Sequence, residues 1–436
     1  MLDPEVESRP WAEQLELDDA SYRTQLAWLF ERSAFYREKL GEAGISSAED
    51  AGGLKDIARL PLTEKSDVKA TASAENPIGA HLCVAREEIA RIYSTSGTTG
   101  TPSYIPLTKG DLDNWVAGSA RSYAASGVTA GERIVSTYNA GPFVAGAALD
   151  AFERIGLSHI PVGTGNTERL MLAIELLDPE AVVLTPSYAA YLLEWAADRG
   201  KDLRGSSVRR VLVAGEPGGG EPAFRAKLEE GWDAAVTEAM GIGDIGASLW
   251  GECEEQDGMH LGARGFVHAE LIDPANGEAL EISDGASGEL VLSHLRHRAA
   301  PLVRFRTRDH VVLSTAQCPC GRTSPRVRCI GRTDDMLIVR GVNVFPSAVR
   351  EVVNAFAPKV SGHILVKPQA PGVKQEPPLP VAVELAKDAA HEDALAQAIG
   401  ERLRSALVVQ ARVELVPWGT LQRSEYKSKL VERARR

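Results

Sequence analysis

No part of this 436-residue sequence is apolar over the roughly 20 consecutive residues that a membrane-spanning helix needs. The opening Met1-Leu-Asp-Pro-Glu-Val-Glu7 is acidic and lacks the basic and apolar parts of a signal peptide, so a cytoplasmic protein is expected. Positive charge is in deficit: 48 lysines and arginines face 60 aspartates and glutamates, a net charge of −12. A nucleic-acid binder needs the reverse, and the short basic tail after Tyr426 reads as a solvated helix end. Cysteine is scarce and odd in number, at five, which suits reduced thiols better than a disulfide framework. None of the nine histidines sits in a nucleophile-elbow context. Only the bulk composition is ordinary, 44% hydrophobic and 25% charged, as in a soluble chain of roughly two to four domains.

Against these absences stands Tyr93-Ser-Thr-Ser-Gly-Thr-Thr-Gly-Thr-Pro-Ser-Tyr-Ile-Pro-Leu-Thr108. Gly97 and Gly100 allow sharp turns that aim backbone N–H groups at an anion, while Ser94, Ser96, Thr98 and Thr99 add hydroxyl donors. It is not a Walker loop, because Thr101 stands where the lysine would have to be. A flexible surface loop has a similar composition. Strand-like flanks, from Ile89 to Ser94 and from Tyr104 to Leu107, mark this one as a tight connection.

Upstream, Leu26, Leu29, Phe30, Phe35, Tyr36 and Leu40 are spaced for one amphipathic helix from Tyr22 to Leu40, and Thr63 reads as the cap of a second. Downstream, strands near residues 133–138, 157–161, 181–184 and 208–214 alternate with helices near 144–155, 167–177, 187–199 and 223–230. That alternation predicts a largely parallel sheet with helices on its faces and ligands outside the carboxyl ends of the strands. From Val267 short strands and turns predict an antiparallel subdomain. Past Gly331-Arg-Thr-Asp-Asp335 a smaller α+β unit follows, in which the proline-rich residues 367–380 read as an exposed loop. The expected division is 1–332 and 333–436, with no internal repeat.

Six segments in this order resemble the adenylate-forming enzymes, the acyl- and aryl-CoA ligases, and most of all their compact phenylacetate–CoA ligase branch. Besides the loop, they are Thr185-Pro-Ser-Tyr188, Ala214-Gly-Glu-Pro217, Arg304-Phe-Arg-Thr-Arg-Asp309, Gly331-Arg-Thr-Asp-Asp-Met-Leu-Ile-Val-Arg-Gly-Val-Asn-Val-Phe-Pro346 and Arg423-Ser-Glu-Tyr-Lys427. The resemblance implies an α/β fold: a large N-terminal domain that binds ATP and an acid, and a small mobile C-terminal α+β lid. It assigns the nucleotide to Ser94, Ser96, Gly97, Thr98, Thr99 and Gly100, to Gly215, Glu216 and Pro217 beside the purine, to Asp309 on the ribose and to Arg332 on phosphate. An ion pair of Asp309 with Arg306 or Arg308 is the competing reading. Lys427, Arg332 and Thr99 take the catalytic positions, and Asp334 the hinge.

Two departures stand out. Met240-Gly-Ile-Gly-Asp244 replaces the family's aromatic-Gly-x-[Ser/Thr]-Glu, so Mg²⁺ falls to Asp244 with its shorter arm and Gly243 offers no hydroxyl. Tyr426 replaces the glycine before the lysine, which leaves Lys429 as a second candidate for that role. The acid pocket is expected between Tyr138, Ala140, Gly141, Phe143 and Gly146 on one side and Gly241 and Ile242 on the other. Small residues leave room for a flat ring, aromatics wall it, and no lysine or arginine awaits a second carboxylate.

Separately, Cys318-Pro-Cys320-Gly-Arg reads as half of a zinc site, with Cys253 and His260 as the other half, although C-x-C is tighter than the usual spacing. Cys83 and Cys329 read as packing residues. The function expected is ATP-dependent ligation of an aryl acid (phenylacetate, benzoate, or a hydroxy- or aminobenzoate) to coenzyme A, in a homodimer suggested by the resemblance. The alternatives are a free-standing enzyme loading a carrier-protein thiol and a non-catalytic binding protein on the same fold.

Overall fold

The computed structural model describes residues 1–95, 103–138, 145–423 and 429–432. The N-terminal helix pattern is broken at Ser33: one helix spans Trp11–Arg32 and a second Ala34–Glu42. Ser33 is extended, and its hydroxyl accepts the Tyr36 N–H at 3.2 Å, so it caps the second helix within what had read as one apolar stripe. Both helices bury that stripe in one cluster with Leu295 and Val303. Thr63 is not a cap. It is buried, its hydroxyl donates to the Val303 carbonyl at 2.7 Å, and Glu64 occupies the cap position of the helix Lys65–Ala70.

Strands β1 (Ile89–Ser94) and β2 (Tyr104–Thr108) pair antiparallel, so residues 96–102 connect a hairpin; they lie outside the described residues. Parallel strands follow in β3 (Arg133–Ser136), β4 (Ser158–Pro161), β5 (Ala181–Leu184) and β6 (Arg210–Ala214), joined by β7 (Ala235–Ile242). Their runs, such as Ala-Val-Val-Leu in β5, are apolar throughout because both faces are covered. Ile134, Val183 and Leu212 pack on one face; Val135, Val182 and Val211 pack on the other.

Strand β8 (Gly246–Glu252) turns back on β7, and β9 (Met259–Leu261) pairs with it. The antiparallel strands β10 (Val267–Ile272), β11 (Ala279–Leu280), β12 (Ser287–His294), β13 (Phe305–Ser314) and β14 (Arg326–Arg332) do not form a free-standing sheet. The pairing of β14 with β9 joins them to the rest in one 12-stranded ladder ordered β11-β10-β12-β13-β14-β9-β8-β7-β6-β5-β3-β4.

The C-terminal unit has its own core around Val349, Val353, Val381, Ile399 and Leu403. Its strands are β15 (Leu337–Val339), β16 (Val342–Val344), β17 (Val360–Val366), β18 (Lys374–Gln375), β19 (Leu379–Leu385) and β20 (Ala411–Val416), with helices Pro346–Asn354 and Asp393–Leu407. The proline-rich stretch is not a free loop. It contains β18, and the buried Gln375 amide accepts from Gln369 N–H at 2.8 Å and donates to the Gly372 carbonyl at 2.9 Å. Among the described residues no helix is long and apolar enough to cross a membrane.

Candidate active site

At the end of β6, Gly215 turns with φ +98°, a left-handed conformation that favours glycine. The Glu216 carboxylate that follows accepts the Ser187 N–H at 2.9 Å and the Ser187 hydroxyl. It therefore sits on the N-terminus of the helix Pro186–Ala197, whose positive end favours an anion, with Thr185 capping the same turn. Two of the resembling segments thus meet. From the C-terminal unit, Arg350 reaches the same loop: its guanidinium donates to the Pro217 carbonyl at 2.7 Å and pairs with Glu221 at 2.6 Å.

Asp309 and Arg332 are register partners across β13 and β14. Arg332 Nη1 lies 3.4 Å from Asp309, and its Nε and Nη2 hold Asp334 at 2.9 and 3.1 Å. Burial works against the charge on Arg332, but Asp309, Asp334 and Asp335 outweigh it and raise its pKa. The competing ion pairs with Arg306 or Arg308 are not formed. Those two side chains are taken instead by Glu64 and Glu289.

Asp244 lies in the turn between β7 and β8, and Lys65 holds it, with the ammonium 2.7 Å from its carboxylate and 3.3 Å from the Thr95 hydroxyl. Lys65, in contact with the candidate Asp244, was not singled out from the sequence. It is separated from Asp244 by 179 positions, and no motif links them. One carboxylate near Thr95 fits a cation whose other ligands are waters and phosphate oxygens, with Lys65 as a second positive group there.

Tyr138 is buried at the end of β3, Ile242 is buried at the end of β7, and Gly146 opens the buried start of the helix Gly146–Ile155. Gly241 has a packing reason to be glycine, since a Cβ there would lie 1.9 Å from the Ala247 carbonyl oxygen. Next to Gly146, Ala147 packs with Tyr93 and Trp115, whose rings stack 6.2 Å apart. This stacked pair was not singled out from the sequence. Ser94 is half-buried at the end of β1. Ser96, Gly97, Thr98, Thr99, Gly100, Ala140, Gly141, Phe143 and Lys427 lie outside the described residues. The segment carrying Lys427 leaves from Arg423, which donates to Glu384 of the small unit at 2.6 Å and to Glu194 of the large one at 3.1 Å. Elsewhere, Cys253, His260, Cys318 and Cys320 bring their ligand atoms within 4.8 Å of one another.

Residues 33–295 match the AMP-binding enzyme family and residues 341–435 the AMP-binding enzyme C-terminal domain. The chain is 35% identical to a phenylacetate–coenzyme A ligase of Thermus thermophilus, covering 98% of this chain and 97% of that one. It is 31% identical to the phenylacetate–coenzyme A ligase of Escherichia coli, covering 98% and 96%. Among solved structures, 2-hydroxyisobutyryl-CoA ligase in the postadenylation state with 2-HIB-AMP superposes with a TM-score of 0.90 at 27% identity, covering 99% of this chain and 92% of that one. The same ligase with 2-HIB-AMP and CoA in its thioesterification state gives 0.72 at 28% identity, covering 99% and 91%. The chain belongs to the AMP-binding, adenylate-forming enzymes and is an AMP-forming acid–coenzyme A ligase.

Proposed function

We propose that the enzyme joins a monocarboxylic aryl acid, of the phenylacetate or benzoate class, to coenzyme A. The observation that carries this reading is the match to phenylacetate–coenzyme A ligases over nearly the whole chain. The burial of Tyr138, Gly146 and Ile242 supports it.

In the first half-reaction a carboxylate oxygen of the acid attacks the α-phosphorus of ATP, the bond to the β-phosphate oxygen breaks, and pyrophosphate leaves. Asp244 would hold Mg²⁺ in part, and the ion would supply neutralisation of phosphate charge. Arg332 and Lys427 meet the negative charge on the α-phosphate, the hydroxyl loop with Thr99 holds the outer phosphates, and Asp309 accepts from the ribose hydroxyls. Glu216 shapes the purine platform. In the second half-reaction the coenzyme A thiolate attacks the acyl carbonyl and AMP departs with the carboxylate oxygen. The reading includes a small domain from residue 333 onward that turns about Asp334 between the two steps. The pairs of Arg350 with Glu221 and Pro217 would break on turning. The closer superposition on the postadenylation state than on the thioesterification state supports this. A cytoplasmic homodimer completes the reading.

Pyrophosphate release with phenylacetate, benzoate, hydroxy- and aminobenzoates and 2-hydroxyisobutyrate, each with and without coenzyme A, tests it. Aryl acids should give the highest kcat/KM, with AMP and thioester formed only when coenzyme A is added. Thioester formed only on a carrier protein would favour that acceptor instead. No acid-dependent release would leave a binding protein.

A further inference from the structure

We propose that Cys253, His260, Cys318 and Cys320 hold one structural Zn²⁺ that clamps the two halves of the large sheet together. The four ligand atoms come from two hairpins far apart in the chain, yet all lie within 4.8 Å of one another. Cys253 Sγ and Cys318 Sγ are 3.7 Å apart, and Cys320 Sγ is 3.4 Å from His260 Nε2. A tetrahedral ion with Zn–S of about 2.3 Å and Zn–N of about 2.0–2.1 Å requires edges of about 3.8 Å between sulfurs and about 3.5 Å from sulfur to nitrogen. Both observed edges match this. The sulfur separation does not match a disulfide, whose S–S bond is about 2.05 Å.

The surroundings suit an ion that stays in place. Cys253, Cys318 and His260 are 1%, 2% and 3% exposed, and only Cys320 is partly open. Three sulfurs and one imidazole nitrogen complete a Cys₃His set, leaving no position for water or substrate, which is the mark of a structural rather than a catalytic site. The tight C-x-C spacing is no obstacle, because Cys318 faces Cys253 while Cys320 faces His260.

The location gives the ion something to do. Among the described residues β9 pairs with β14 through two residue pairs, His260 with Arg326 and Met259 with Val327, and in the strand order this short ladder is where the antiparallel strands meet the rest of the sheet. His260 lies in that seam. Cys253 follows β8, and Cys318 and Cys320 precede β14, so one ion ties together three segments that meet at this short ladder. The turn after Cys320 also anchors the N-terminus, where Arg322 donates to Glu7 at 2.6 Å. Strand β14 then runs seven residues to Arg332. At about 3.3 Å per residue that is roughly 20 Å, too far for the ion to touch reacting groups.

The test begins with the untagged wild-type chain, grown with zinc available and analysed for metals by plasma mass spectrometry. About one zinc per chain is expected, released in step with titration by an organomercurial. Exchange with Co²⁺ should give the visible absorption of tetrahedral thiolate coordination. Cys320→Ser should lose most of the zinc and lower the unfolding midpoint by several degrees. The folded fraction should keep kcat within about twofold, because additivity holds for distant sites. Zinc well below one per chain, with the three thiols alkylated equally fast with and without a chelator, would overturn the proposal. So would a Cys253–Cys318 disulfide in freshly purified protein.

Discussion

Replacing Lys427 by alanine is expected to abolish acyl-adenylate formation while leaving the thioester step nearly intact. The lysine ammonium is a compact point charge that can meet both the acid's carboxylate and the α-phosphate as negative charge builds between them. Deleting one such group typically costs about 10²–10³-fold in rate, or about 3–4 kcal/mol, because its attraction is stronger in the transition state than in the ground state. In the second half-reaction AMP leaves with new negative charge on its phosphate, but in the proposed reading the small domain has by then turned and carried Lys427 away from it. Chemically supplied acyl-adenylate should therefore be converted to thioester at close to the wild-type rate. Arg423, which begins this segment, bonds to Glu194 in one lobe and Glu384 in the other, and a swing of the small lobe would break the first bond. Asp334→Pro, which restricts the hinge, should show the opposite split, with adenylation kept and the thioester step lost. Equal loss of both steps in Lys427→Ala, or no loss, would move the role to Lys429. That residue precedes a segment pinned to β17, where the Val366 N–H donates to the Leu430 carbonyl at 2.8 Å.

The second large effect is expected at Asp244. Asp244→Ala should lower adenylation by about 10²-fold or more and raise the Mg²⁺ concentration needed for half-maximal rate. The fold should survive, because the residue sits in a turn and its ion pair with the partly exposed Lys65 is of a kind that contributes about 0–1 kcal/mol. Asp244→Glu, which restores the longer arm usual in the family, should retain most of the activity. Stopped-flow pyrophosphate release across a Mg²⁺ series reads both variants. An alanine variant with unchanged rate and unchanged Mg²⁺ dependence would remove Asp244 from the metal's coordination.

Much of this arrangement was legible before any coordinates, because parallel strands and their helices carry strong local patterns. The helix Thr167–Leu177 and the strand Ala181–Leu184 fall where apolar spacing and length place them. Most of what failed to show was decided by partners distant in sequence, with the cap at Ser33 a local exception. Ser33 breaks an unbroken apolar stripe with a single hydroxyl, which periodicity does not register. Thr63 looks like a cap but spends its hydroxyl on Val303, 240 residues away. The ribose candidate Asp309 gave no hint of Arg332 as its neighbour, because that pairing follows from the register of β13 on β14. Lys65 was hidden for the same reason. The four candidate zinc ligands were the exception, since cysteine and histidine at turns suggested each other across a long chain, and the structure brings Cys253, His260, Cys318 and Cys320 together.

The most direct test of the central claim uses the acid labelled with ¹⁸O in its carboxylate. In the proposed route one carboxylate oxygen attaches to the α-phosphorus and stays with it when the thiol takes the acyl group. Mass spectrometry of the products should therefore find one ¹⁸O in AMP and none in pyrophosphate. Label in inorganic phosphate together with ADP, or unlabelled AMP, would contradict activation through an acyl-adenylate.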